Sequence, residues 1–158
     1  MRRRAILGLG ISCLLAACTT GGGYGAMDLG WSLHHAEGEG AKLAYGQAAS
    51  DNVLLMMTCQ PRSGQVLVSM TAPAGATPTS IELTSSGRSS RLNGAAAPAM
   101  AEGASLIEAM APANDPALLN FARTGDIAVV ENGRPAQMPV RRAERAAVSD
   151  FFAQCRAA

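Results

Sequence analysis

The densest cluster of side chains able to do chemistry is His34-His35-Ala36-Glu37-Gly38-Glu39-Gly40. Imidazole beside carboxylate is a ligand set for a divalent first-row metal. Such an ion needs three or four convergent ligands, and successive residues of a strand point to opposite faces. His34 and His35 therefore share one site with Glu37 and Glu39 only if the backbone bends. The two glycines fit a solvated turn between strands, so no metal is expected. Eight methionines suggest Cu(I), which soft thioethers select, but they are scattered and Met56-Met57 straddles a strand, so core filling is their expected role. Hydrolytic chemistry needs a nucleophile, a base and a stabiliser that converge. No G-x-S-x-G or S-x-x-K frame is present, and His34 and His35 are the only histidines. Glu82, Glu108, Asp126 and Glu131 read as outward-facing strand or turn residues. No catalytic residue and no cofactor is expected. Gly21, Gly23 and Ala26 match G-x-G-x-x-A, but without a strand before and a helix after, the dinucleotide reading has no context.

The other reactive residues are four cysteines, and the first two belong to the N-terminus. Met1-Arg2-Arg3-Arg4 precedes an apolar run from Ala5 to Ala17, and Leu15-Ala16-Ala17-Cys18 closes it. A basic start, a short apolar stretch and small residues before a cleavage point make a secretory signal. The run is too short to span a membrane, since thirteen residues of helix reach roughly 20 Å at 1.5 Å per residue. Ending in a cysteine, it resembles the lipobox of bacterial lipoprotein precursors. The resemblance implies cleavage before Cys18 and a diacylglycerol on its sulfur, hence a membrane anchor. Cys13 lacks the leading leucine. In Gram-negative members an aspartate after the lipidated cysteine favours the inner membrane, so Thr19 implies the periplasmic face of the outer membrane. Several acyl chains anchor stably where one binds only marginally.

Residues 1–17 would be removed as the signal, and 18–28, rich in glycine, would be the lipidated tether. A single β-rich periplasmic domain over 29–158 follows. The processed chain of 141 residues is long enough for one core. Without the three signal arginines, ten basic residues face twelve acidic ones, a net charge of −2. A nucleic-acid partner would want a clustered basic face, and Arg141-Arg142 with Arg145 reads instead as a solvated helix start. Processing also changes the cysteine parity. Cys13 leaves and Cys18 becomes a thioether, so Cys59 and Cys155 remain, in a compartment where disulfides persist. One bridge between them is expected.

The elements that would position these residues follow from periodicity. Leu29, Trp31 and Leu33 alternate with polar or small residues, as do Leu43 and Tyr45. Asn52 to Gln60 is nearly continuously apolar, predicting a central strand covered on both faces. Pro61-Arg62-Ser63-Gly64 turns it into Val66 to Met70, the clearest hairpin. Ile81 and Leu83 mark a strand, Arg88 to Leu92 a polar one, and Ser105 to Met110 another. Gly94 to Gly103 fits loop or short helix equally. Asp115 suits an N-cap, Pro116 the first helical position and Gly125 the C-terminal cap, predicting a short helix near 116–123. Ile127 to Val130 and Pro135 to Val140 pair across Asn132-Gly133, a favoured tight turn, and the prolines put the second strand at an edge. Val148, Phe151, Phe152 and Cys155 make one apolar face of a helix near 143–156. The fold class is mainly β: an antiparallel sandwich or partly open barrel with these two helices.

Phe121-x-x-Thr124-Gly125, a hairpin, then Phe151-Phe152-x-x-Cys155 also resembles the end of small bacterial envelope β-sandwich proteins, the invasion-associated locus B group and type VI secretion accessory proteins. That resemblance covers about a quarter of the chain and implies the disulfide and the β architecture, not an activity. The expected function is a lipid-anchored envelope protein acting as a non-enzymatic binding or accessory module, with an envelope protein or polysaccharide as partner. The alternative is a small hydrolase of cell-wall or polysaccharide material.

Overall fold

A computed structural model describes residues 28–72, 79–98 and 105–156. The signal, the lipobox with Cys18, and the tether up to Met27 lie outside the described residues. Strands β1 (Leu29–Ala36), β2 (Gly40–Gln47), β3 (Val53–Cys59) and β4 (Gln65–Ala72) form an antiparallel meander. Strands β5 (Ser80–Ser85), β6 (Arg88–Pro98) and β7 (Ser105–Pro112) form a second meander. It is laid back so that β7, not β5, pairs with β4. Helix α1 (Pro116–Thr124) leads to the hairpin β8 (Ala128–Glu131) and β9 (Arg134–Gln137), which joins the far side of β5. A short 3-10 turn (Arg142–Glu144) opens helix α2 (Arg145–Cys155). The strand order is β1-β2-β3-β4-β7-β6-β5-β8-β9, an antiparallel sheet curled into a half-barrel. This is the mainly β class with two helices that alternation and capping predict, in its partly open form.

The inner face holds the core. Trp31, Leu43, Leu55, Met57, Val68, Ile107, Ile81, Leu83 and Val129 alternate inward from successive strands and are buried. Both helices pack on this face. Phe121 of α1 lies 5.0 Å from the Trp31 ring and 5.9 Å from Phe152 of α2, and Trp31 lies 5.2 Å from Tyr45. Trp31 also donates its indole N–H to the Met138 carbonyl at 3.1 Å, while the Met138 N–H bonds the Ile127 carbonyl at 2.9 Å. The segment after β9 is thereby laced between the two flanks of the half-barrel. A buried indole keeps its hydrogen-bond partner, as burial of a polar group requires.

Local signals are realised closely. Asp115 caps α1, its carboxylate accepting from the N–H groups of Ala117 and Leu118 at 3.0 and 3.3 Å and from the Ser90 hydroxyl at 2.6 Å. Asn132 and Gly133 take φ of 50° and 75°, the left-handed pair that a two-residue hairpin turn requires. The arginine start before α2 is organised by Glu144, whose side chain accepts from the Arg141 N–H at 2.9 Å.

Two expectations are corrected. The nearly continuous apolar run of β3 is not covered on both faces: β3 is central in strand order, yet Leu54 is 37 % exposed and Met56 half-buried. The opposite face of the sheet carries no helix there, because both helices occupy the inner side. The second concerns Gly94 to Gly103. Gly94 to Pro98 continues β6 as a strand paired with β7, whose register supplies the backbone partners, and 99–104 lie outside the described residues.

Candidate functional site

The His34–Glu39 cluster is split by the strand geometry. His34, on β1, faces outward, its Nε2 2.9 Å from the Ser32 hydroxyl. His35 turns to the other side, its Nε2 3.0 Å from Oε1 of Gln154 on α2. Glu39 pairs with Lys42, whose ammonium holds the Glu39 carboxyl below its ordinary range, and Glu37 is exposed. No group of three or more His, Cys, Asp or Glu side chains is assembled among the described residues. A metal would find one imidazole on each face.

Cys59 and Cys155 are bonded, with Cα atoms 5.7 Å apart. The strand end and the helix end meet because the β3–β4 turn docks on the last turn of α2. The Arg62 N–H bonds the Gln154 carbonyl and the Gly64 N–H bonds the Cys155 carbonyl, both at 2.8 Å. Orphan carbonyls at a helix C-terminus are thus satisfied by the hairpin turn. The body of α2 packs on β1 and β2, and its C-terminal end meets the central β3–β4 hairpin at Cys59 and at this turn. Both cysteines are buried, which suits a structural bond.

The carboxylates and serines pair within structural networks. Asp126 accepts from the Ser86 N–H at 2.8 Å and its hydroxyl at 2.6 Å, fixing the β5–β6 turn. Buried Asn120 donates to the Ser85 carbonyl at 2.8 Å and hydroxyl at 3.0 Å, and accepts from Arg123 at 2.7 Å. Glu108 accepts from the Ser69 hydroxyl at 3.1 Å on the outer face. No histidine is hydrogen-bonded to any of these serines or carboxylates among the described residues. No Ser–His–carboxylate chain of hydrogen bonds is formed among the described residues.

An open trough of about 430 Å³ lies on the outer face of β1, β2 and β3, and a second open hollow of similar volume lies on the β8–β9 hairpin around Asn132 and Pro135. The floor of the trough is small because Gly30, Ser32, Ala44 and Gly46 all project outward, and Met56 walls one side. His34 and Lys42 stand at one end. At the other, the Arg141 guanidinium lies over Gly30, where any Cβ would collide with it. Arg141 donates to Glu144 and to Asp28, both at 2.6 Å. The Glu144 and then the Asp28 contacts hold Arg141 more firmly protonated than usual. On the inner side of the same strand pair, burial and then Glu144 push the Tyr45 hydroxyl up, with Arg141 opposing. Beside the trough, Met56, Leu67 and Met110 form an apolar ridge, Met110 being 56 % exposed.

No protein-family model, curated protein or solved structure matches this chain. The trough went unread in the sequence because small residues at alternate positions look like ordinary strand filler. Of the Arg141 clamp only the i,i+3 spacing to Glu144 was legible. Asp28 lies 113 residues away, and no local pattern links the two.

Proposed function

We propose that this chain is a lipid-anchored cell-envelope protein whose β domain faces the periplasm as a non-enzymatic binding or accessory module. One observation carries the reading: Leu15-Ala16-Ala17-Cys18 closing an apolar run that begins after Arg2-Arg3-Arg4. Three further features support it. The Cys59–Cys155 bond suits an oxidising compartment. No helix among the described residues is long and apolar enough to cross a membrane, so attachment would fall to the lipid. The domain starts at β1 (Leu29), leaving room for a tether after Cys18. Binding is favoured over catalysis because Asp126, Asp115 and Glu108 are bonded to neighbouring serines, whereas the outer sheet face presents apolar side chains to solvent.

The test is metabolic labelling with radioactive palmitate, followed by membrane fractionation. Label should persist in Cys13→Ser and vanish in Cys18→Ser, which should stall as precursor or leave the membrane fraction. Undiminished labelling of Cys18→Ser would remove the anchor and the localisation with it.

A further inference from the structure

Antiparallel sheets usually turn a polar face to water. The outer face of β3, β4 and β7 departs from this: Leu54, Met56, Leu67, Leu106 and Met110 point outward there. Their only charged companion is Glu108, half-buried and bonded to Ser69. Exposed charges lie elsewhere, with Glu37 and Arg62 on turns at one end of the sheet and Arg123 and Asp150 on the helices. The chain enters the domain beside this apolar ridge. Asp28 precedes β1, and its carboxylate accepts from Arg141 at 2.6 Å. Arg141 lies over Gly30 on the outer face, and Asp28 lines the same trough as Met56. The point of entry and the ridge are therefore on one side of the sheet, while both helices are on the other.

We infer that the outer face of β3, β4 and β7 lies on the lipid surface that holds the anchor, with the ridge in the headgroup layer. The inference rests on the lipid at Cys18 proposed above. Asp28 is ten positions after Cys18, and ten residues span at most about 36 Å. A compact domain over 29–158 is itself about 36 Å across. Attachment beside β1 brings the outer face to the bilayer with length to spare. The helix-bearing side would reach it only with the tether drawn out over the full width of the molecule. A stable protein–protein interface takes about 20–30 residues from each partner, and the ridge supplies five large apolar ones. A tethered surface asks for much less, because the anchor has already made the encounter intramolecular. Apolar side chains sunk to the boundary of headgroups and acyl chains are how a body lies on a bilayer without crossing it. At that shallow depth Glu108 stays hydrated and keeps the Ser69 hydroxyl as its donor.

The test uses the lipidated full chain in vesicles of phosphatidylethanolamine with phosphatidylglycerol. Cys59 and Cys155 are bonded, and on the anchor reading Cys18 carries the lipid and Cys13 leaves with the signal, so an introduced cysteine is the one free thiol. A polarity-sensitive fluorophore is attached at Leu54→Cys, at Met110→Cys or, as reference, at Leu119→Cys. Leu119 is apolar and exposed like the other two, but it lies on α1, on the helix-bearing side of the sheet. All three positions are exposed, so thermal unfolding should be little changed. Lipids spin-labelled high in the acyl chain should quench most of the emission at 54 and 110, with a blue shift, and leave 119 unchanged. Met110→Glu should abolish the quenching at 54, because a charge is costly to bring into an apolar layer, while the anchor still holds the protein on the vesicles. Flotation of the same samples separates the two readings. A protein that does not float overturns the anchor and this proposal with it. Three results would overturn the docking and leave the anchor standing: floating protein with 54 and 110 quenched no more than 119, quenching at 54 indifferent to Met110→Glu, or shielding of 54 and 110 only after envelope proteins are added.

Discussion

Asn120 is the side chain whose removal is most informative. It is buried in the middle of α1 and meets Ser85 and Arg123 at once. Truncating it leaves the Ser85 carbonyl without that donor in a dry site, and a buried unsatisfied group costs about 1–3 kcal/mol. Asn120→Ala should lower stability by that amount in urea unfolding at constant m-value, while Arg134→Ala, at the exposed start of β9, should change it little. Tyr45 makes a second prediction at this scale. Its hydroxyl is pushed above the ordinary value of 10.0 by burial and by Glu144. The folded state therefore holds the phenolic proton more tightly than the unfolded state. The resulting stabilisation is fully present below pH 10.0 and is lost as pH rises through the folded value. Wild type should weaken above that pH more steeply than Tyr45→Phe, as chemical unfolding along an alkaline series would show. Equal slopes would mean that Tyr45 ionises as freely folded as unfolded.

Among the elements, α2 depends most on a covalent restraint. It has eleven residues and its N-terminus has no side-chain cap bond, and helices this short need tertiary packing. Packing comes from Val148, Phe151 and Phe152, and the far end is held by Cys155 with the two turn hydrogen bonds. The bond closes a loop of 96 residues, which the chain-entropy treatment values at about 4–5 kcal/mol. Reduction should raise amide exchange across 145–155 before it affects β2–β3 or β4–β7, whose ladders are internally bonded. Uniform loss of protection would show that helix and sheet form one cooperative unit. Helix α1 is held differently, by Asp115 with Ser90. Asp115→Ala removes the cap at about 0.5–2 kcal/mol and should cost more than Ser90→Ala, which leaves the cap itself in place.

At the scale of the molecule, the aromatic cluster joins parts that the chain order separates. Trp31 is the sole tryptophan, and it touches β2, α1 and the segment after β9. Its emission therefore reports docking of the helices, while far-UV circular dichroism reports mainly the sheet. In the oxidised protein the two signals should lose amplitude together on heating, as a two-state domain requires. In the reduced protein the tryptophan transition should come first. Coincident transitions after reduction would show that packing alone keeps α2 in place.

Sequence alone determined the local grammar of this protein. Period-two alternation marked the strands, Asp115-Pro116 and Gly125 bounded a helix, Asn132-Gly133 set a hairpin, and cysteine parity under the proposed processing paired Cys59 with Cys155. These signals act within a few residues, or by counting, so they survive without knowledge of the fold. That His34 and His35 point to opposite faces was also legible, because side-chain direction along a strand is itself local. Only the tertiary structure decided that β7 and not β5 lies beside β4. It also decided that the outer face of β3 stays open and that Asp28 meets Arg141 over Gly30. Strand order depends on which unpaired edges meet as the chain collapses, and backbone hydrogen bonds carry no side-chain identity. Exposure depends on where both helices pack. An apolar residue on an outer face and one in the core therefore look the same in sequence, and only the packed sheet tells them apart.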